Sequence, residues 1–282
     1  MRKFFIGWIV PLILAGAVSL WIYFAFRDRL CIVDDDSMSP ALRKGQVVAL
    51  TYENPVSRNA IVAIDNPCAP RNAGYSPSLK RCVGMPGDTV LIVGKQLYIN
   101  GVRVNSDFCM YDRNLLLLND REIAAANMYG IPACRTDEML KVPVTEGVFR
   151  KIISDSIIVN ASTDFTPRHL YDCCLYPFSK FYHWNKDYYG PIVVPCRGMT
   201  INLDIANYVM YKSLIERYEG VKMEWRGGVC RVDGTAADSF TFRRGYVFLL
   251  NDYRDNPSDS RTFGPVPLEL VTAGFKSVLK NN

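Results

Sequence analysis

The pattern of hydrophobic and polar residues changes sharply near the start of this chain. Positions 4–26, FFIGWIVPLILAGAVSLWIYFAF, form a run of 23 residues without a charged side chain. As a helix rising about 1.5 Å per residue, this run would extend roughly 34 Å and cross the hydrocarbon core of a bilayer. Trp8 at one end, with Trp21 and Tyr23 at the other, would lie at the two membrane interfaces. The pattern predicts one N-terminal transmembrane anchor.

Two other interpretations of this apolar run are weaker. Residues 15–17, AGA, are similar to the cleavage site of a secretory signal peptide, but the run continues for nine residues beyond them. A helix in a globular core is less favoured still, because nothing charged interrupts the run. Two basic residues lie on each side of the apolar run, so only the free amino group makes the N-terminal side more positive than the other. We therefore expect the N-terminus inside and the bulk of the chain outside.

Beyond the anchor, short strand patterns alternate with turn residues. Residues 45–52 and 60–67 are predicted strands, and residues 246–252 form an apolar strand that runs into a polar loop. Residues 88–104 predict two hairpins, because the dipeptides GK and NG separate apolar segments. Residues 227–242 have the same layout around a DG turn. These patterns predict a mainly β protein with antiparallel sheets.

The middle of the chain lacks a clean period. Its best helix covers residues 203–220, where Asp204 is a plausible N-cap and Gly220 a C-terminal stop. We interpret the middle as a β/α region inserted between two halves of a β-rich core. The predicted divisions are the tail and anchor at 1–29, the first part of the core at 30–106, the insertion at 107–226 and the closing part of the core at 227–282.

Composition narrows the function classes. The 282 residues are 49% hydrophobic and 22% charged, which indicates a folded protein. The net charge of +5 comes without a basic block, so nucleic acid is not an expected partner. Nine cysteines leave at least one thiol unpaired, and their disulfide pattern stays open. There is no CxxC motif and there are two histidines, so we expect no metal site, and most cysteines should be small core residues.

Candidate chemistry begins in VDDDSMSP, where Ser37 follows three acidic residues. A serine hydroxyl needs a base to become a good nucleophile. His169 and His183 lie in the irregular middle region and fit surface positions better. Lys80, in SLKRCVGMPGD, stands at the edge of an apolar strand, where burial could lower its pKa. Taken alone, an exposed lysine would be the more ordinary interpretation.

Two further patterns bear on this pair. The S-x-x-K motif of penicillin-binding enzymes is absent around Ser37, because Pro40 stands where the lysine should be. Residues 251–267, NDYRDNPSDSRTFGPVP, read by themselves as a polar loop. Their paired charges could equally brace an active site.

Together these stretches resemble the type I signal peptidases, membrane-bound serine–lysine proteases that remove signal peptides from exported proteins. The resemblance rests on the order and spacing of the motifs, which run from residue 34 to 267. The motifs are DSMSP, GQVVAL, KRCVGMPGD, LYINGVRV and NDYRDNPSDSRTFGPVP, all after the anchor. WNKDYYGPIVVP at 184–195 and the following helix are similar to a longer, Bacteroidetes-type branch of the family.

The resemblance implies a signal-peptidase fold of two antiparallel β-regions, with an apolar surface that meets the bilayer. It implies Ser37 as nucleophile, Lys80 as general base and the Ser37 backbone N–H as an oxyanion donor. The supporting residues that match the family motifs are Met38, Pro40, Arg81, Asp252, Arg254, Asp259, Ser260 and Arg261. The implied partners are signal peptides with small residues at positions −1 and −3, membrane lipid and the secretion machinery, and no cofactor is implied. The implied location is the bacterial inner membrane, with the catalytic domain on the periplasmic face.

Two positions depart from the family pattern. Asp35 stands where a serine or threonine hydroxyl often supports the oxyanion hole, and an ionised carboxylate cannot donate a hydrogen bond. Pro257 replaces a serine that often orients the lysine, with Ser258 and Ser260 as substitutes. These departures keep two alternatives open. One is a catalytically impaired, membrane-anchored binding protein of the same fold, and the other is a specialised peptidase for a narrow substrate set.

Overall fold

The structure is a computed structural model, and it describes residues 13–21, 30–52, 56–65, 77–131, 139–158 and 160–280. Most of the apolar run lies outside these residues, and its described part, 13–21, is helical and exposed. Within the described ranges, no helix is both long and apolar enough to cross a membrane. The transmembrane anchor therefore stays a prediction.

A seven-stranded antiparallel sheet carries the stretches that hold Ser37 and Lys80. Its strands are β1 Leu30–Ile32, β2 Val47–Thr51, β3 Ile61–Ile64, β4 Ser78–Gly84, β17 Tyr246–Leu250, β18 Val266–Pro267 and β19 Val271–Lys280, in the order β1-β2-β19-β3-β4-β17-β18. All five residues of β17 are buried, because this strand is covered on both faces. Residues far apart in the sequence thus meet in one sheet.

A second antiparallel sheet contains the two predicted hairpins. Its strands are β5 Thr89–Val93, β6 Gln96–Ile99, β7 Val102–Arg103 and β11 Tyr188–Val193, in the order β11-β5-β6-β7. Asn100 and Gly101 have φ of 53° and 77°, and Gly94 and Lys95 have φ of 55° and 67°. Positive φ at both turn residues is the geometry that two-residue hairpins require, so both hairpins are confirmed.

Residues 107–164 form a small sheet with two helices, which the sequence pattern did not reveal. The elements are β8 Met110–Leu116, β9 Leu140–Thr145, β10 Asn160–Thr163, α1 Asp120–Met128 and α2 Glu146–Asp155. They enclose their own apolar core, in which Leu115, Phe149 and Ile152 are buried. The strand period was hidden because β8, MYDRNLL, places Tyr111, Arg113 and Leu115 on its buried face, and a buried arginine breaks the apolar alternation.

Most of the remaining elements pack on the second sheet. They are β12 Thr200–Asn202, β13 Met223–Arg226, β14 Val229–Val232, β15 Thr235–Ala236, β16 Ser239–Thr241 and α3 Ile205–Leu214. The short helix α4 Ser260–Phe263 instead packs on the first sheet, where Phe263 shares an apolar cluster with Val247 and Leu249 of β17. The predicted middle helix is confirmed as α3, with Asp204 as its N-cap and a π-helical turn that ends at Gly220. The DG turn also has positive φ, 48° at Asp233 and 81° at Gly234. The fold is therefore mainly β and antiparallel, as predicted.

The cysteines divide by burial. Cys31, Cys82, Cys109 and Cys230 are buried, as expected of small core residues. Cys173 and Cys174 are exposed. The seven cysteines of the described residues are all free thiols, whereas Cys68 and Cys134 lie outside the described residues.

Candidate active site

Ser37 lies in a tight turn directly after β1. The turn is closed by backbone hydrogen bonds from Ser39 N to Asp36 O, 3.0 Å, and from Leu42 N to Met38 O, 2.9 Å. The Met38 side chain is buried against the apolar core of the first sheet, which fixes the turn to that sheet. Tyr253 N donates to the Ser37 carbonyl at 2.9 Å, so the loop after β17 also holds the serine. Ser37 itself is 2% exposed.

Lys80 reaches Ser37 from the neighbouring part of the sheet. It occupies β4, where it pairs with Val62 of β3, and it is 3% exposed. Its Nζ lies 3.5 Å from Ser37 Oγ, across a sequence separation of 43 residues. The apposition of a buried amine and a buried hydroxyl is the arrangement that serine–lysine chemistry requires.

The surroundings of Lys80 decide how readily its amine gives up a proton. Burial lowers the pKa of Lys80 from its ordinary value, and the charge on Arg261 lowers it further, whereas Asp259 and Asp35 act to raise it. The net direction is downward, because removing water disfavours the ammonium form. A lysine amine with a lowered pKa can act as a general base.

The Ser37 backbone N–H, expected to be free for an oxyanion, is already in use. It donates to Asp35 Oδ1 at 2.9 Å. The carboxylate of Asp35 therefore occupies the donor that an acyl oxygen would need. Asp36, the next residue, has a different role, because its Oδ1 accepts from Lys44 N at 3.0 Å.

Arg81 and Asp252 form a two-pronged ion pair beside the serine–lysine pair. Arg81 Nε donates to Asp252 Oδ1 at 2.6 Å, and its Nη2 donates to Oδ2 at 2.5 Å. Asp252 is fully buried, while Arg81 also lies over the Phe108 ring at 4.8 Å. This ion pair ties β4 to the loop that follows β17.

The closing segment is braced around Asp259 and Arg261. Asp259 accepts from Asn251 N at 3.0 Å and from Arg261 Nη2 at 2.7 Å. Arg261 Nη1 donates to the Arg254 carbonyl at 2.7 Å. The expected bracing residues are thus brought together, and they fix the loop that touches Ser37 through Tyr253.

Among the hydrogen bonds of the described residues, none joins Lys80 to either predicted substitute for the lysine-orienting serine. Ser260 Oγ accepts from Leu249 N at 2.9 Å, and Ser258 is exposed. In the described part of the chain, Lys80 Nζ has one hydrogen-bond partner, Ser37 Oγ. Asp259 and Asp35 instead act on Lys80 through their charges.

The structure adds residues that the sequence analysis missed. Arg254 Nε donates to the buried Cys109 Sγ at 3.3 Å, which places β8 against the closing segment. Met110 N donates to the Asp252 carbonyl at 2.9 Å, and Arg254 N donates to the Met110 carbonyl at 2.8 Å. Most of these contacts are backbone hydrogen bonds, so the pattern of side chains in the sequence could not predict them.

A cleft of about 130 Å³ opens next to Ser37. It lies between the end of β1 and the start of β4, and its lining includes Asp35, Ser37, Met38, Pro77 and Leu79. β17 pairs with β4 only from Arg81 onward, so among the described residues no strand covers that edge of β4 before Arg81. An extended peptide can therefore add to this edge by backbone hydrogen bonds.

Carboxylates converge at one other place, on the far side of the closing segment. Oxygens of Asp112, Asp164 and Asp255 lie within 4.8 Å of one another. Lys141 contacts Asp112 at 3.3 Å and Asp164 at 2.6 Å, and Lys95 contacts Asp255 at 2.5 Å. Lysine amines thus already neutralise these carboxylates. We assign no metal to them.

The two histidines take no part in the site. Both are exposed, and His183 stacks on the Tyr171 ring at 5.1 Å. Within the described residues, neither forms a hydrogen bond with Ser37. This agrees with their interpretation as surface residues.

The fold and the site define a class: an antiparallel β protein in which a buried lysine amine faces a buried serine hydroxyl. The family model described as "Signal peptidase, peptidase S26" matches residues 5–146, about half of the chain. The chain belongs to the signal peptidase family, peptidase S26. The matched region contains Ser37 and Lys80, whereas the closing segment at 251–267 lies outside it.

Curated relatives agree with this assignment. The chain is 33% identical over 110 residues to signal peptidase I of Bacillus licheniformis, covering 38% of this chain and 56% of that protein. It is 31% identical over 112 residues to signal peptidase I S of Bacillus subtilis (strain 168), with the same coverage of both chains. The chain thus spans a little over half the length of these curated relatives.

Proposed function

We propose that this chain is a membrane-anchored signal peptidase I. It removes N-terminal signal peptides from exported proteins, with Ser37 as nucleophile and Lys80 as general base. The observation that carries this proposal is the buried contact between Lys80 Nζ and Ser37 Oγ, 3.5 Å, in a chain of the signal peptidase family.

The proposed reaction follows from this contact. Neutral Lys80 takes the hydroxyl proton of Ser37 as Oγ bonds to the scissile carbonyl carbon, and the carbonyl oxygen becomes an oxyanion. The carbon–nitrogen bond then breaks, and the proton on Lys80 passes to the leaving amine. Water, activated by the same lysine, next hydrolyses the acyl-enzyme.

The cleft beside Ser37 supports the choice of substrate. A signal peptide in extended form would lie along the open edge of β4 and present alternate side chains to the cleft. The volume of about 130 Å³ suits short side chains, as expected for substrates with small residues at −1 and −3. Bulky side chains at these positions would meet Met38 and Leu79.

The anchor would bring the enzyme to its substrate. Ten residues, 27–36, connect the apolar run to Ser37, and fully extended they reach no more than about 33–36 Å. Leu30 and Ile32 of β1 are apolar and exposed on this connection, so they can contact the membrane surface. We place the catalytic domain on the periplasmic face of the bacterial inner membrane.

Precursor cleavage by single variants tests the dyad. Ser37→Ala and Lys80→Ala should each abolish cleavage of a precursor with an Ala-x-Ala site, measured by gel shift in detergent. Lys80→Arg should fail as well, because a guanidinium stays protonated. Lys44→Ala is the matched control, since its side chain is exposed and it should keep wild-type cleavage. Activity retained in the Lys80 variants would contradict the proposed base.

One observation favours a second candidate, a protein of the same fold that binds exported chains without cleaving them. Asp35 occupies the Ser37 N–H, the donor that acyl transfer needs. Binding of a labelled precursor without any turnover, in the wild type and under all conditions tested, would favour this candidate over the peptidase.

A further inference from the structure

Two ionisable side chains contact Ser37, one at its backbone N–H and the other at its hydroxyl. Its backbone N–H donates to Asp35 Oδ1 at 2.9 Å, and its hydroxyl lies 3.5 Å from Lys80 Nζ. Asp35 also lines the cleft in which the substrate would lie, whereas Asp36 does not. A hydrogen bond from the N–H two residues ahead is an ordinary turn motif for aspartate. Here, however, the turn uses the amide of the nucleophile itself.

This arrangement conflicts with the proposed reaction if Asp35 stays ionised. The oxyanion would form next to the Ser37 N–H, where the Asp35 carboxylate now lies. Two negative oxygens at one donor repel each other, and the carboxylate has no proton to offer. The other charged groups near the pair are Asp34 and Asp36 on the same loop, Asp259 and Arg261 across from Lys80, and the Arg81–Asp252 ion pair beside it. Within this set, Lys80 is the group that can supply a proton to Asp35.

We propose that Asp35 is an oxyanion donor that works in its neutral form, with its proton supplied by Lys80. The inference rests on the proposed peptidase function. In the step, one proton leaves the Lys80 ammonium and binds the Asp35 carboxylate, which yields a neutral amine and a carboxylic acid. No other reactant is needed. The same transfer prepares the general base and turns a competing acceptor into a donor.

Substrate binding supplies the driving force for this transfer. Asp35 is exposed in the free enzyme, and water stabilises its charge. A peptide strand in the cleft would displace that water, and the loss of water penalises both the carboxylate and the ammonium. The neutral pair is then favoured over the charged pair. The enzyme would thus reach its reactive protonation state only with substrate in place.

The proposal has a distinct pH signature, because the pair shares a single proton. Wild-type kcat/KM should fall at high pH, about tenfold per pH unit, once the shared proton is lost. Asp35→Asn keeps an amide that can donate without any proton from Lys80. Its kcat/KM should instead rise as Lys80 loses its proton and then reach a plateau. The two profiles are expected to run in opposite directions over the same pH range.

The experiment measures precursor cleavage from pH 5 to 10 for full-length wild type, Asp35→Asn, Asp35→Ser, Asp35→Ala and the matched control Asp36→Asn. Asn and Ser at position 35 can donate, so they should cleave about 10²–10³-fold faster than Ala at the high-pH plateau. Asp36→Asn removes the same charge from the same loop but should keep the falling wild-type limb. Thermal unfolding of each variant checks that it is folded.

Several outcomes would overturn the proposal. Equal rates for Asn, Ser and Ala at position 35 would exclude a donor role. A wild-type profile that rises to a plateau would exclude a shared proton. These results leave the peptidase function intact as long as cleavage depends on Ser37. No cleavage by wild type or by any variant would instead contradict the proposed function, and the role of Asp35 with it.

Discussion

At the scale of single residues, the site combines burial with charge. Lys80 is an amine inside a β-sheet, and burial lowers its pKa because the ammonium loses its hydration. The same burial makes the charged form of Lys80 destabilise the folded state. In the unfolded chain the amine is hydrated and titrates near 10.5, so the unfolded state holds its proton more tightly than the folded state. Folding stability should therefore rise with pH between the lowered folded pKa and the ordinary value.

Lys80→Met should stabilise the protein, because it fills the same space without a charge. The gain should be largest below the folded pKa of Lys80 and should shrink as the pH approaches 10.5. Each 1 kcal/mol of relief should raise Tm by roughly 2–4 °C. Thermal unfolding of Lys80→Met and wild type at pH 6 and pH 9.5 measures the difference. Ser37→Ala is the control, since it removes the hydroxyl and leaves the buried amine. A gain that does not change with pH would contradict the account.

At the scale of elements, the site is assembled by strand pairing and by one bracing turn. β3 pairs Val62 with Lys80, and β17 pairs Leu250 with Arg81, so β4 is held on both sides at the point where it meets Ser37. The turn at α4 packs on β17 through Phe263 and on the loop that carries Tyr176. Tyr176 N donates to the Arg261 carbonyl at 2.8 Å, and the Tyr176 ring covers Gly264.

Gly264→Ala should disrupt this bracing turn. Gly264 has φ of +82°, and an added Cβ would lie 2.6 Å from the Tyr176 ring. Gly234→Ala is the control for positive φ without a clash, because Gly234 has φ of +81° but has nothing within 4 Å of an added Cβ. Both variants should lose about 1 kcal/mol or more to positive φ. Gly264→Ala should lose a further 1–3 kcal/mol, roughly, to the clash together with its ψ of −178°, a backbone region that is essentially restricted to glycine. Urea unfolding measures both. Equal losses would show that the Tyr176 ring yields freely.

At the scale of the whole molecule, the proposed anchor and the open edge of β4 would both help the enzyme to bind substrates that lie in the membrane. An anchored enzyme meets substrates that are confined to the same membrane, which raises their effective concentration without new contacts. Cleavage of membrane-inserted precursors should therefore depend on the apolar run. Cleavage of short soluble peptides should depend on the cleft alone.

The double variant Leu14→Arg, Val18→Arg tests this separation. Each arginine near the centre of a membrane span costs about 3 kcal/mol, so the variant should leave the membrane fraction during an alkaline wash. It should lose precursor cleavage in vesicles and keep wild-type kcat/KM on a soluble peptide. Leu14→Val, Val18→Leu is the apolar control. Retention of the arginine variant in washed membranes would contradict the anchor.

The sequence alone determined much of this protein because several of its signals are local. The NG and DG turns predicted hairpins, since positive φ at adjacent residues is a property of the dipeptide itself. Asp204 and Gly220 marked the predicted middle helix, whose α-helical part is Ile205–Leu214. The ordered motifs around Ser37 and Lys80 indicated the family, which the comparison then showed.

Only the tertiary structure decided what surrounds the site. It placed Lys80 Nζ against Ser37 Oγ, because long-range strand pairing brings together residues that are 43 positions apart. It also assigned the Ser37 N–H to Asp35 and brought Met110 of the small sheet against the closing segment. The Lys80–Ser37 contact and the backbone hydrogen bonds of Met110 depend on where distant chain segments meet, whereas the hydrogen bond from Ser37 N to Asp35 Oδ1 depends on the geometry of the local turn. The residue types in the sequence predicted a serine–lysine pair, whereas tertiary packing determined the burial and the hydrogen bonds of that pair.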